Sequence, residues 1–186
     1  MIRGTTVHPI TCAYCSDVLQ KRFDRRRFLK LTVRAGLFAA IPSIALGAEG
    51  NYEAMLLTCI DPRFPEPTIR YMQNRHMVGK YSQFAFAGAS IGVVAPAFKT
   101  WEAAFWDNLA TSIEIHHIAK VIAMNHRDCG AAKIAYGEEK VANPHIETAT
   151  HKAALTEFRR QVGERYPALA VETGLMALDG TVEMFS

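Results

Sequence analysis

Apolar and polar positions divide most of the chain into short continuous runs and longer periodic ones. Residues 53–59, "EAMLLTC", form a short apolar run that stops at a cysteine and is followed by a loop rich in proline (Pro62, Pro65, Pro67). A run of that length bounded by turn residues predicts a buried strand. Residues 81–90, "YSQFAFAGAS", predict a second strand running into a Gly/Ala/Ser turn. Between 98 and 117, apolar residues at 98, 101, 105, 109 and 113 recur in steps of three and four, which predicts a helix with one apolar face. "IAKVIAMN", 118–125, predicts a third strand, and "HRDCGAAKIAYG" a turn that opens into a helix. Residues 146–167 predict a long helix stopped by Pro167, and "ALAVETGLMALDGTVEMF" predicts two strands around a turn at Asp179-Gly180.

Strands alternate with helices, so the predicted fold is a single α/β domain. It has a mostly parallel central sheet flanked by helices and a C-terminal β-hairpin. The order of elements places Cys59 at the end of the first strand and His126 to Cys129 directly after the third. Binding sites in open α/β sheets form beyond the carboxyl ends of parallel strands, where these two clusters can converge.

Charge changes the picture at the N-terminus. Eight of the 21 Lys/Arg and two of the 18 Asp/Glu fall in residues 1–48, which leaves the rest of the chain about −3. The predicted domain, 49–186, therefore has no electrostatic case for nucleic acid or an anionic membrane surface. Residues 24–30, "DRRRFLK", are followed by the apolar "LTVRAGLFAAIPSIALGA", a basic region and then an apolar one ending in small residues. Ala45-Leu46-Gly47 suits a signal peptidase, as does a cut after Ala48. The segment resembles a twin-arginine export signal, with Arg25 and Arg26 as the pair. The expectation is an exported, periplasmic protein whose residues 1–48 are removed. It stays membrane-anchored if they are not, and no stable insertion is expected after cleavage. Arg34 and Pro42 make the apolar stretch a poor membrane span. Cys12 and Cys15 stand in C-x-x-C spacing within the same segment, without the second ligand pair a zinc site of this kind needs.

The chemistry is concentrated in Cys59-x-Asp61-x-Arg63 and His126-x-x-Cys129. Two thiolates and an imidazole favour zinc over magnesium or calcium, and three protein ligands leave a fourth position open, as catalytic zinc sites do. Asp61 can accept a hydrogen bond from water beside the metal, and a paired Arg63 keeps that carboxylate ionised and fixed. The alternative for the two cysteines is a plain disulfide, which an oxidising compartment permits. His76, His145 and His151 read as surface residues. Arg127 and Asp128 are expected to face solvent or brace their turn, and His116 and His117 sit at a helix end, where imidazolium suits the dipole and proton shuttling is the alternative role.

The paired motifs C-x-D-x-R and H-x-x-C-G, set between strands of one α/β domain, resemble those of the β-class carbonic anhydrases. The resemblance spans roughly residues 53–186. It implies that Cys59, His126 and Cys129 hold Zn2+, that Asp61 and Arg63 form a catalytic dyad beside the open position, and that Asp61 is able to swing in as a fourth metal ligand. It implies reversible hydration of CO2 to bicarbonate by zinc-bound hydroxide, in a homo-oligomer, a dimer or larger. Three departures are visible. The residues from 49 to the first strand leave no room for the helices that in this family wrap a partner subunit and supply a glutamine. The turn "AFAGAS", Ala85–Ser90, has lost the family's polar side chains, so that Phe86 is expected to line a more apolar pocket. Asn125 replaces a glycine before the histidine. An apolar pocket also suits carbonyl sulfide or carbon disulfide, whose hydrolysis is the alternative activity. A non-catalytic zinc-binding or disulfide-stapled exported protein is the alternative outside the enzymes.

Overall fold

The computed structural model describes residues 50–186. The export-like segment, its Arg25-Arg26 pair and the Cys12/Cys15 pair lie outside the described residues. Five strands form one sheet: β1 (Ala54–Thr58), β2 (Tyr81–Ala85), β3 (Lys120–His126), β4 (Ala170–Met176) and β5 (Val182–Phe185). Their order is β2-β1-β3-β4-β5. The first four run parallel and β5 returns antiparallel to β4. The α/β expectation with its closing hairpin is met. Gly180 takes a left-handed φ of 88° in the hairpin loop, and Thr181 N–H donates to Asp179 Oδ1 at 2.9 Å.

Every residue of β1 is buried, which is why that segment reads as a continuous apolar run rather than an alternating one. Alternate side chains go to opposite faces. Met55, Leu57, Val121 and Ala123 pack under Phe105 and Leu109 of a helix at Glu102–His116 (α3) and under Leu155, Phe158 and Val162 of the helix Pro144–Arg165 (α5). Ala54, Leu56, Ile122 and Met124 face the other way, against Phe64, Met72, Met77 and Met176.

Met72 belongs to a helix at Pro65–Asn74 (α1), where the sequence reads as a proline-rich loop. The prolines misdirect because both stand in the first turn, where a missing N–H costs no intrahelical bond. Thr68 N–H donates to the Phe64 carbonyl at 3.0 Å and closes that turn. A short helix, Ser90–Val94 (α2), likewise follows the turn after β2. The helix expected from 98 starts later. Pro96–Phe98 is a 3-10 turn, and Trp101 lies 40% exposed, stacked on Phe98 with ring centroids 4.4 Å apart, instead of joining the buried face. The seven-residue helix Gly130–Tyr136 (α4) opens directly after Cys129. Among the described residues, no helix is long and apolar enough to cross a membrane.

Candidate metal centre

Cys59 is the first residue beyond β1, His126 is the last of β3, and Cys129 is the N-cap of α4. β1 and β3 are parallel neighbours, so both clusters emerge at the same end of the sheet, as the order of elements predicts. The two sulfurs and one imidazole nitrogen lie within 4.8 Å of one another. Both cysteines are free thiols.

The donor set suits a metal on its own chemistry. His126 is 2% exposed, and its Nδ1 lies 2.8 Å from the Arg127 carbonyl. That bond places the proton on Nδ1 and leaves the Nε2 lone pair facing the sulfurs' side of the ring, in the pattern of metal-binding histidines. Nε2 is buried and has no hydrogen-bond partner. Such a group is costly to leave unmet, and a cation satisfies it. Tetrahedral zinc with bonds of about 2.0–2.3 Å sets its ligand atoms under roughly 4 Å apart, so a small inward shift of these three is enough. Phe64 stacks on the His126 ring, centroids 4.0 Å apart, and fixes its plane.

Around Cys59 the turn after β2 closes tightly. Gly88 N–H donates to Cys59 Sγ at 3.2 Å. Gly88 sits at φ 79°, and a Cβ there would come 2.9 Å from Ala131 Cβ, so only glycine lets this amide reach the sulfur. The Cys129 S–H, the His126 ring and the Gly88 N–H push the Cys59 thiol well below its ordinary range, against the effect of burial, while the Cys59 thiolate and burial push Cys129 up. The hydrogen bonds around Cys59 thus favour the anionic form of that sulfur.

Asp61 and Arg63 form the expected pair. Arg63 Nε donates to Asp61 Oδ1 at 3.0 Å and Nη2 to Oδ2 at 2.7 Å, and the Arg63 backbone N–H also reaches Oδ1, at 3.0 Å. These hydrogen bonds hold the Asp61 carboxyl down at about 2. Asp61 is not among the three clustered donors; its carboxylate is engaged by Arg63.

Several residues around the site differ from the expectation. Phe86, two residues before Gly88, is packed among aromatic neighbours. The Phe86 ring lies over Gly92, where a Cβ would fall 2.5 Å from it, and packs on Phe84 and Trp101. The apolar side chains grouped with the two cysteines are Ile91, Ala95, Phe98, Ala131 and Ala132. His151 is not a surface residue but is 0% exposed. The Asn125 carbonyl oxygen accepts from Ser90 N–H at 3.1 Å and Ser90 Oγ at 2.8 Å, which turns its NH2 toward His151 Nδ1 at 3.1 Å. Asn125, the apparent departure from the family pattern, is therefore the hub that ties the end of β3 to α2 and α5. The sequence gives no cue for that, because its partners stand 35 and 26 residues away. Arg127 and Asp128 do brace their turn. His116 and His117 end α3, before β3 starts, and so lie at the opposite end of the sheet from the cluster. A concavity of about 570 Å3, lined by Val94, Tyr136, Ile146 and Ala154 among others, also lies apart from the three donors and backs onto the same apolar cluster as Cys129.

Burial, followed by the positive fields of His126 and Arg127, pushes His151 down to about 4. Above pH ~6.5 the imidazole is neutral in both folded and unfolded chains. As pH falls from there toward 4, the unfolded chain takes up a proton the native one refuses, so stability drops by on the order of 3 kcal/mol across that window. Urea unfolding at pH 7, 6 and 5 is expected to show this slope, and a His151→Gln variant to lose it.

The family described as "Putative carbonic anhydrase" matches residues 49–166. An uncharacterized protein of Rickettsia conorii is 33% identical over 129 residues, 69% of this chain and 69% of that protein. One of Rickettsia bellii is 30% identical over 129 residues, 69% of this chain and 79% of that one. Among solved structures, the fold is similar to that of the β-carbonic anhydrase CafA of Aspergillus fumigatus, with TM-score 0.52 and 15% identity over 93% of this chain and 91% of that one. It is also similar to the carbonic anhydrase from Streptococcus mutans, with TM-score 0.50 and 12% identity over 94% and 98%. Sequence and fold agree: the chain belongs to the family described as putative carbonic anhydrase, and its fold is like that of the β-carbonic anhydrases.

Proposed function

We propose that this protein binds zinc through Cys59, His126 and Cys129 and catalyses the reversible hydration of CO2 to bicarbonate. The observation that carries the reading is His126, whose buried Nε2 has no partner and whose ring brings a nitrogen within 4.8 Å of two free thiols. Zinc held there would act as a Lewis acid and lower the pKa of a water at its open position. The chain's own residues supply the rest. Asp61 Oδ2 takes one hydrogen bond from Arg63 and keeps a second accepting position; it can hold the proton of the attacking water and aim its lone pair. Arg63 keeps Asp61 ionised and fixed by three donors. Ile91, Ala95, Phe98 and Ala131 group with the two cysteines in one apolar cluster, which suits a neutral linear substrate.

That same apolar cluster favours a second reading, hydrolysis of carbonyl sulfide or carbon disulfide at the same residues. The test is to supply the zinc-loaded protein with CO2, carbonyl sulfide and carbon disulfide in turn, following proton release and sulfide. Proton release from CO2 without turnover of the sulfur compounds supports the first reading; sulfide release supports the second. Zinc binding with no turnover of any of the three would leave a non-catalytic zinc protein.

Assembly into a homo-oligomer is part of the proposal. Its support is that β2 and β5 each present an edge with no strand beside it among the described residues, and that Ile60 and Ile134 are 62% and 74% exposed. So is export. It rests on the sequence of residues 24–48 alone, and a reporter fused to residues 1–48 tests it by whether Arg25→Lys/Arg26→Lys stops its passage out of the cytoplasm.

A further inference from the structure

Arg63 serves two carboxylates, and the second is not explained by the pair with Asp61. Its Nη1 donates to Asp128 Oδ2 at 2.8 Å, and its Nη2 donates to the Asp128 backbone carbonyl at 3.0 Å. Asp128 stands between His126 and Cys129, 65 residues from Arg63 in sequence. The guanidinium therefore joins the loop that carries Cys59 to the loop that carries His126 and Cys129. Asp128 is itself held from two more sides. Lys133 Nζ donates to its Oδ1 at 3.0 Å, and its own N–H donates to Oε1 of the buried Glu147 at 2.6 Å. Its backbone is left-handed, φ 53°. Glycine adopts that conformation without strain, and asparagine and aspartate both tolerate it, so the backbone admits Asp128 but does not require its carboxylate.

We propose that Asp128 is a positioning residue of the metal centre: by sharing Arg63 with Asp61 it straps the two ligand-bearing loops together and slows escape of the metal. The charges alternate along the strap, Asp61, Arg63, Asp128, Lys133, so it adds no net charge beside the thiolates. A metal held by three residues leaves as its ligands detach in turn, and a loop that draws back detaches those it carries. With the strap intact, that movement has to break the Arg63–Asp128 contacts or carry both loops together. The inference rests on the reading that Cys59, His126 and Cys129 hold zinc.

The left-handed backbone makes a clean test available. Zinc-loaded full-length protein is mixed with excess chromogenic chelator and the release rate is followed. Asp128→Gly removes the carboxylate while suiting φ 53°, and is expected to release zinc about tenfold faster, the scale of an outer-shell change. Asp128→Asn, which keeps a neutral acceptor for Arg63, falls between wild type and Asp128→Gly. Arg63→Ala also releases faster, and adding Asp128→Gly to it changes the rate by less than about twofold, because the strap is already cut. Wild-type release from Asp128→Gly, or effects that multiply in the double variant, would overturn the strap while leaving zinc binding intact. A wild-type chain that takes up no zinc overturns the metal reading, and the strap falls with it.

Discussion

Cys129→Ala and His126→Ala are each expected to strip the protein of zinc and of all CO2 hydration, while leaving the fold in place. Each removes one of only three donors, so the loss of affinity goes well past the ~10–100-fold that an outer-shell change produces. The fold survives because the two principal apolar clusters, on the two faces of the sheet, contain neither residue. Cys129 belongs to the smaller cluster with Ile91, Ala95 and Ala132, where loss of one sulfur costs about 1–2 kcal/mol of packing. Zinc content by atomic emission and far-UV circular dichroism, measured together, check both halves. A variant that keeps stoichiometric zinc contradicts the ligand set.

Arg63→Ala is expected to separate metal from rate. At micromolar protein with excess zinc it still binds one equivalent, because all three donors remain. Its hydration rate falls by about 100-fold or more, the usual scale for losing a group that orients proton transfer. Without the Arg63 guanidinium, Asp61 loses both side-chain hydrogen bonds and the paired positive charge, and keeps only the bond from the residue-63 backbone N–H. Asp61→Asn is expected to lose rate comparably, since its oxygen can still accept from Arg63 but carries no charge to hold the proton. Stopped-flow rates set against measured zinc content decide this. A fall in rate that tracks zinc loss one for one would make Arg63 a structural brace only.

The three donors were legible from the sequence because their signal is local. A cysteine closing an apolar run, and a histidine and cysteine three apart after another, fix both residue type and strand end within a few positions. The pairing of Asp61 with Arg63 was legible for the same reason, being two residues wide. What the sequence hid was set by packing at a distance. The helix Pro65–Asn74 was masked by two prolines that happen to fall in its first turn. The seat of the Phe86 ring depends on Gly92, whose missing Cβ leaves the ring room. His151 reads as surface because a lone histidine usually is, and its burial follows only from Asn125 and Ser90 arriving from two other elements. Asp128 looks like a turn residue because its partner Arg63 comes from another strand's loop. In each case the deciding contact spans elements that are adjacent in the sheet or packed on it but remote in the chain.

The most direct measurement is stopped-flow CO2 hydration by the zinc-loaded protein from pH 7 to 9, beside the same protein stripped of metal. A rate that requires zinc, rises with pH and disappears in Cys129→Ala is the predicted result. A rate no greater than buffer from protein that carries one zinc per chain would contradict carbonic anhydrase activity.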